Sequence, residues 1–426
     1  MSHSSFRGLG FQRPISLLAL MAGVCGAAVM GGACTVNSTN AAADAGPGTP
    51  DGGGVPDSAK PGDGGPSNGP LAFTPSNVDL SGIDLTKVGD FVVDAEGCSV
   101  NTDNNLASCG DGAGVLGFKL ATQSDGSKVG VYVAKSMTIL AGKSLTVEGP
   151  NPLVFIALDT ITIAGSMNVS SREEVGIAGG HTRGGEMVDR ATGAGPGGGG
   201  AGTDTTASGG GSYCGIGGAG GAESGPAASG AAYGAPAISP LLAGSSGGDH
   251  GGAGGGAVQL VAGNSITIGA GGLVAAGAGG GGFGGIRTQN ADGGGSGGSI
   301  LLESLAVTVA GTLTANGGGG GAGTSLDVGA PPPKDPGGAN ATPNATPAAG
   351  GRKGIGPSSG GDGSGGASIN GTAGSFTATD NNAAGGGGGG AGRIRINTKS
   401  GAAMLTGATI SPPASTPCAT EGKVAQ

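Results

Sequence analysis

Gly244-Ser245-Ser246-Gly247-Gly248 has the G-x-S-x-G spacing of a serine nucleophile, and Asp249 and His250 follow directly. That chemistry needs a strand-to-helix elbow that lifts the hydroxyl above a sheet, with a histidine base behind it. No helical period follows Ser246, and the same spacing recurs at 294–298 and 356–360, as abundant glycine alone produces. Gly142-Lys143-Ser144 copies the end of a phosphate-binding loop, but Met137 stands where the leading glycine is required. Gly199-Gly200-Ala201-Gly202-Thr203-Asp204 copies one calcium-binding nonapeptide, whose coordination is completed only by tandem copies. The histidines are His3, His181 and His250, and a zinc site built on the last two would need further ligands from loops. They read as solvated loop residues. Lys135, Lys143, Glu148, Asp159 and Glu303 flank strand-like segments without recurring at one position, so they form no acid–base pair and read as solubilising charges. These residue types assign no catalytic, cofactor-binding or metal-ligating set.

The elements that would carry any site are clearer. Residues 131–171 contain one module twice. An apolar strand comes first (Val131-Tyr132-Val133, then Val154-Phe155-Ile156), followed by Met137-Thr138-Ile139 and Ile161-Thr162-Ile163. After a glycine bend come Leu145-Thr146-Val147 and Met167-Asn168-Val169. The module returns at Val258-Gln259-Leu260, Ile266-Thr267-Ile268 and Leu273-Val274-Ala275. A further copy is Ile300-Leu301-Leu302, Val307-Thr308-Val309 and Leu313-Thr314-Ala315. Alternation at period two marks half-buried strands, and each is too short to bury a core alone. Three strands in roughly twenty residues, repeated, predict an all-β chain wound as a parallel β-helix with three short strands per coil. A β-sandwich is the rival, but long insertions occur only after the third strand, an order a sandwich has no reason to keep. Stacking would set Ile161 over Ile266 over Val307.

Between those aliphatics, Thr138, Thr162, Thr267 and Thr308 would form an outward threonine ladder about 4.8 Å apart. An ice-binding face wants two parallel ranks of threonine. Only one rank is expected here, because the residues on either side of each threonine point inward, and a solvent-facing strand former is the plainer reading.

The sequence has 426 residues, of which 105 are glycine, with 3% aromatic content and no tryptophan, so its core is small for its length. One compact domain with large surface excursions is expected. The net charge of −9 and the scattered Lys and Arg leave no basic patch for nucleic acid. Residues 1–34 read as an export signal, with Arg7 and Arg13 before an apolar run and Gly31-Gly32-Ala33 leading to Cys34. Plain cleavage near Ala33 and an uncleaved anchor are the alternatives. Residues 35–70 are expected to form a disordered Pro/Gly/Asp-rich tether, and 71–130 an N-terminal cap region. The β-helix is expected over 131–410, with glycine-rich insertions at 172–253, 278–297 and 317–390, then a tail at 411–426. The insertions would be either disordered or packed as extended glycine strands, and 331–348 would be a mobile loop. Arg393 and Arg395 would face out from an exposed edge. Cys98, Cys109, Cys214 and Cys418 allow three pairings. Local spacing favours Cys98–Cys109, leaving Cys214–Cys418, and two disulfides match an oxidising compartment.

GSGGSILLESLAVTVAGTLTANGGGGGAG (295–323) and PLVFIALDTITIAGSMNVSS (152–171) resemble glycine-rich, adhesin-like surface lipoproteins of Gram-negative bacteria. The region before Cys34 resembles a lipobox, with Gly31 where an aliphatic is usual. The resemblance implies lipidation at Cys34 and, with Thr35 rather than aspartate next, outer-membrane sorting. It also implies a right-handed β-helix at the cell surface. It supplies no catalytic residues. A non-enzymatic lipoprotein, adhesin-like or structural in the cell envelope, is the leading expectation. Its partners would be the outer membrane, through the lipid, and surface glycans or other cell-surface proteins. The alternatives are a polysaccharide lyase or glycosidase-like enzyme, and a glycine-rich matrix component.

Overall fold

The computed structural model describes residues 70–109, 116–182, 190–283, 290–323, 337–352, 358–378 and 383–426. The chain divides into Met1–Gly62 and Asp63–Gln426, and every described residue lies in the second unit. The expected signal, Cys34 and all but the last residue of the tether lie outside the described residues.

The described residues form strands and no helix, arranged as a 10-stranded and a 7-stranded sheet. The larger sheet holds β1 (Phe91–Val93), β4 (Gly117–Thr122), β5 (Lys128–Ala134), β6 (Met137–Ile139) and β8 (Leu153–Ala157). It continues with β9 (Thr160–Ile163), β11 (Ala257–Ile268), β13 (Ser299–Val309), β15 (Arg393–Thr398) and β17 (Ala419–Lys423). The smaller holds β2 (Cys98–Asn101), β3 (Ala107–Ser108), β7 (Ser144–Glu148), β10 (Ser166–Asn168), β12 (Leu273–Ala275), β14 (Thr312–Thr314) and β16 (Thr409–Ser411).

This corrects the expectation of a right-handed parallel β-helix with three strands per coil. The first and second strands of a module share one sheet. In β11 and β13 they are one continuous strand, interrupted only by a register shift between Ala262 and Ser265. The sheets are also mixed, since β4 runs antiparallel to β5 and β3 antiparallel to β2. Both sheets are open, ending on strands paired along one side only. Period-two alternation fixes which face a residue occupies, not how many sheets its strand helps to build. The aliphatic triplets nevertheless align: Ile161 pairs with Ile266, and Ile266 with Val307.

Two apolar clusters result. Ile161, Ile163, Ile266, Ile268, Val307 and Val309 pack with Leu145, Met167, Val274 and Leu313 of the smaller sheet, all buried. Each such side chain contributes about 1.5–3 kcal/mol. The second cluster lies on the opposite face of β5, β8 and the first half of β11. There Leu71, Phe73, Val78, Ile238 and Leu241 cover Val131, Val133, Val154, Ile156 and Val261. Burial on both faces explains why these strands read as unbroken apolar runs.

Several expected surface pieces are built in. Residues 71–130 supply β1 and β2 as well as the covering segment, and Thr74 bridges Ala425 at the far end of the chain. The expected tail carries β17, which pairs with β15. With β13 on its other side, β15 is no edge. Of the expected mobile loop, 337–348 is laid against the body, with Asn340 Oδ1 accepting from Glu173 N (2.9 Å) and Gly280 N (3.0 Å).

The glycine-rich segments form a hydrogen-bonded layer outside both sheets. Successive N–H groups from Ala207 to Ser212 donate to Gly221, Ala291, Gly200, Gly218, Gly294 and Gly197. Three neighbours are thus visited in strict rotation, residue i+3 returning to the neighbour of residue i. That is a backbone with three residues per turn, whose amides point outward to lateral partners instead of within the segment. Gly318 and Gly321 likewise share one neighbour through Gly295 and Asp292, and Gly386 and Gly389 share another through Gly321 and Gly318. Such close lateral approach excludes side chains. A Cβ on Gly293 would meet the carbonyl of Gly209, and one on Gly389 that of Gly295.

Candidate functional site

The outward residues of β6, β9 and the second halves of β11 and β13 form the most regular exposed array. Thr138 pairs with Thr162, Thr162 with Thr267, and Thr267 with Thr308, each exposed or half-exposed between buried aliphatics. A second file stands two residues earlier on the same face. Thr160 pairs with Ser265 and Ser265 with Ala306, while Ser136 immediately precedes β6 in the same register. The single-rank expectation was incomplete because the residue at i−2 points outward again. A third file of Leu140, Ala164, Gly269 and Ala310 runs beside them, joined through Ala164 N to Ile139 O, Gly269 N to Ile163 O and Ala310 N to Ile268 O.

The tempting motifs are structural. Ser246 is 0% exposed and its Oγ accepts from Ala194 N at 2.7 Å, inside the glycine layer. Gly142 has φ +75° and turns the chain between β6 and β7, while Lys143 pairs with Glu96 at 3.0 Å. Around the nonapeptide match, Asp204 pairs with Arg190, and Asp249 Oδ2 accepts from Gly202 N at 3.1 Å. Asn290 nearby bonds Thr203 O and Ala384 N. Among the described residues, no group of three or more His, Cys, Asp or Glu side chains converges to hold a metal ion. His181 is not a solvated loop residue. Its ring lies against Gly195 in the layer, and burial lowers its pKa.

Two polar clusters were not foreseen. Glu303, expected as a solubilising charge, is 1% exposed. Its Oε2 accepts from Ser76 N (3.0 Å) and Gln259 Nε2 (2.7 Å), and its Oε1 from Ser76 Oγ (2.5 Å) and Asn397 Nδ2 (3.0 Å). Asn77 Nδ2 adds bonds to Gln259 Oε1 (3.1 Å) and Ile238 O (2.9 Å). The cluster pins the 71–88 segment to the sheet. Only the position of Glu303 inside the run ILLESL hinted at it.

In the second cluster, Tyr213 stacks on Tyr233 with ring centroids 4.5 Å apart, and the Arg393 guanidinium lies 5.8 Å from the Tyr213 ring. Arg393 also donates to Tyr233 O at 3.1 Å, so it does not face out as expected. Arg395 is half-buried and donates from Nε to Asn397 Oδ1 at 2.7 Å. Next to Tyr213, Cys214 bonds Cys418, tying the glycine layer to the start of β17, and Cys98 bonds Cys109 near β2 and β3.

These surroundings predict how the chain titrates. It has three tyrosines, and burial pushes Tyr132 and Tyr213 from 10.0 to about 12. Burial, then the neighbouring Tyr213, raises Tyr233 further. The fold favours the neutral phenols. The unfolded chain therefore loses these protons first, and stability declines as pH rises from 10 towards 12. Ultraviolet titration of the folded chain at about pH 10.5 should show almost no phenolate, whereas denaturant should reveal it. Phenolate absorbance equal to that of free tyrosine in the folded chain would contradict this.

No family model, no curated protein and no solved structure matches this chain. Its function must be argued from its own residues.

Proposed function

We propose that the chain is a non-enzymatic surface-contact module, adhesin-like or structural in the cell envelope, held by a lipid on Cys34 at the outer membrane. The observation that carries this reading is the outward face just described: hydroxyl-rich and set in register by paired strands. Such a face suits contact with an extended surface rather than enclosure of a small substrate. The disulfides Cys98–Cys109 and Cys214–Cys418 are consistent with an oxidising, extracytoplasmic setting. Residues 35–70 would serve as the spacer between lipid and domain.

Labelling cells with a palmitate analogue and then shaving them with protease tests the assignment. The wild-type chain should take up label and be cut on intact cells, and Cys34→Ala should lose the label and leave the membrane fraction. Undiminished label in Cys34→Ala, or complete protection of the domain on intact cells, would reject the surface-lipoprotein reading.

A further inference from the structure

We propose that the outer face of β6, β9 and the second halves of β11 and β13 binds ice. Three observations lead there. The first is two-dimensional repetition. Ser136, Thr160, Ser265 and Ala306 form one file, and Thr138, Thr162, Thr267 and Thr308 the other. Neighbouring strands set the files' members about 4.8 Å apart, and two residues of rise set the files about 7 Å apart. Both distances approximate separations between water oxygens in planes of hexagonal ice. A ligand that itself repeats in two directions can meet every position at once.

The second observation is availability. Among the described residues, the hydroxyls of Thr138, Thr160, Thr162, Ser265 and Thr267 have no hydrogen-bond partner in the protein, unlike the end members. Ser136 Oγ donates to Asp90 Oδ1 at 2.7 Å, and Thr308 Oγ1 lies 3.9 Å from Met404 Sδ. The array is also stiff. Threonine is β-branched and restricted at χ1, and the strands are backed by fully buried Ile161, Ile163, Ile266 and Ile268. Little ordering remains to be done on binding.

The third observation is the chemistry that the face lacks. Over β6, β9, β11 and β13 neither file contains an ionisable side chain; at the edge of the face β1, paired with β6, adds Asp90 beside Ser136 and Asp94 beside Leu140. The four central strands themselves offer minerals and charged headgroups no counter-charge. No aromatic ring stands in the files to stack on sugar rings. Threonine offers a hydroxyl beside a methyl, and Leu140, Ala164 and Ala310 extend the apolar part. An uncharged lattice of hydrogen-bonding groups is the partner that remains. This inference does not rest on surface display, because the purified chain carries the face whether or not Cys34 is acylated.

The test grows an ice hemisphere in a solution of the fluorescently labelled, purified full chain. The chain should enter the ice and inhibit ice recrystallisation. Thr162→Tyr and Thr267→Tyr keep good strand formers but place bulk at the centre of the array, and should lower incorporation about tenfold. Their circular dichroism and thermal midpoint should match wild type. Thr146→Tyr, on the exposed side of the smaller sheet, should incorporate like wild type. Exclusion of the wild-type chain from ice would overturn the proposal, as would equal incorporation of the Thr267→Tyr variant. Binding to crystalline cellulose or chitin but not to ice, lost in the same variants, would overturn it in favour of a glycan lattice.

Discussion

Gly293→Ala is expected to destabilise the fold by about 3 kcal/mol or more, whereas Gly269→Ala should stay within about 0.5 kcal/mol of wild type. The two substitutions add the same methyl group. At Gly293 the new Cβ would press on the Gly209 carbonyl and lie 3.0 Å from Gly210 N, both main-chain groups that cannot swing aside. The segment cannot retreat freely either. Gly293 N donates to Ser208 Oγ at 2.8 Å, and Gly293 O accepts from Gly252 N at 2.9 Å. At Gly269 the nearest atom is Ile163 O at 3.7 Å, and the backbone is one that alanine adopts without strain. Restricting the unfolded chain even favours alanine there by a few tenths of a kcal/mol. Denaturant titration of both variants, with amide exchange of the layer, measures the difference. Equal stabilities would mean that the glycine segments are not packed against one another in solution.

How much of this was legible in the sequence depends on where the partners lie. Alternation within Ile161-Thr162-Ile163 and Ile266-Thr267-Ile268 showed which side chains are buried, because period two is local and each triplet carries its own record. The same alternation said nothing about whether the preceding strand shares a sheet with the triplet, and the count of three strands per coil failed on that point. In β11, Val258 and Ile266 belong to one strand that shifts register between Ala262 and Ser265. No residue there announces that the chain continues instead of turning. Between disordered and packed glycine segments the sequence offers no choice, for a related reason. The order of the glycine layer comes from lateral bonds such as Ser208 N to Ala291 O, which span distant segments, and glycine has no side chain to pattern. The disulfide partners were readable because four cysteines leave few choices and two of them are close in sequence. The second file of the exposed face was readable as well, since Thr160 and Thr162 stand two apart.

Glu303→Ala should cost about 2–4 kcal/mol, because it leaves buried neutral donors without an acceptor. The carboxyl is closed off from solvent by the 71–88 segment, and four donors converge on it. Removing it leaves the buried Gln259 Nε2 and Asn397 Nδ2 without that acceptor and releases the exposed Ser76 from the sheet. The effect should also be directional. Ser76 and Asn77 bond the covering segment to β11 and β13, Lys119 of β4 bonds its Asp79 and Ser81 O, and Leu71, Phe73 and Val78 supply its apolar grip. Once the carboxyl is gone, the strap loses both Ser76 bonds and keeps its apolar contacts, the Asn77 bonds, the Lys119 contacts to Asp79 and Ser81 O, and the Thr74–Ala425 bridge. Protease cleavage within 71–88 should therefore accelerate well before the two sheets unfold. Loss of the segment would uncover Val131, Val154 and Val261 and promote aggregation. Limited proteolysis beside a denaturation curve separates the outcomes. A variant cleaved at the wild-type rate, with an unchanged unfolding midpoint, would show that the Glu303 cluster contributes nothing to holding the strap.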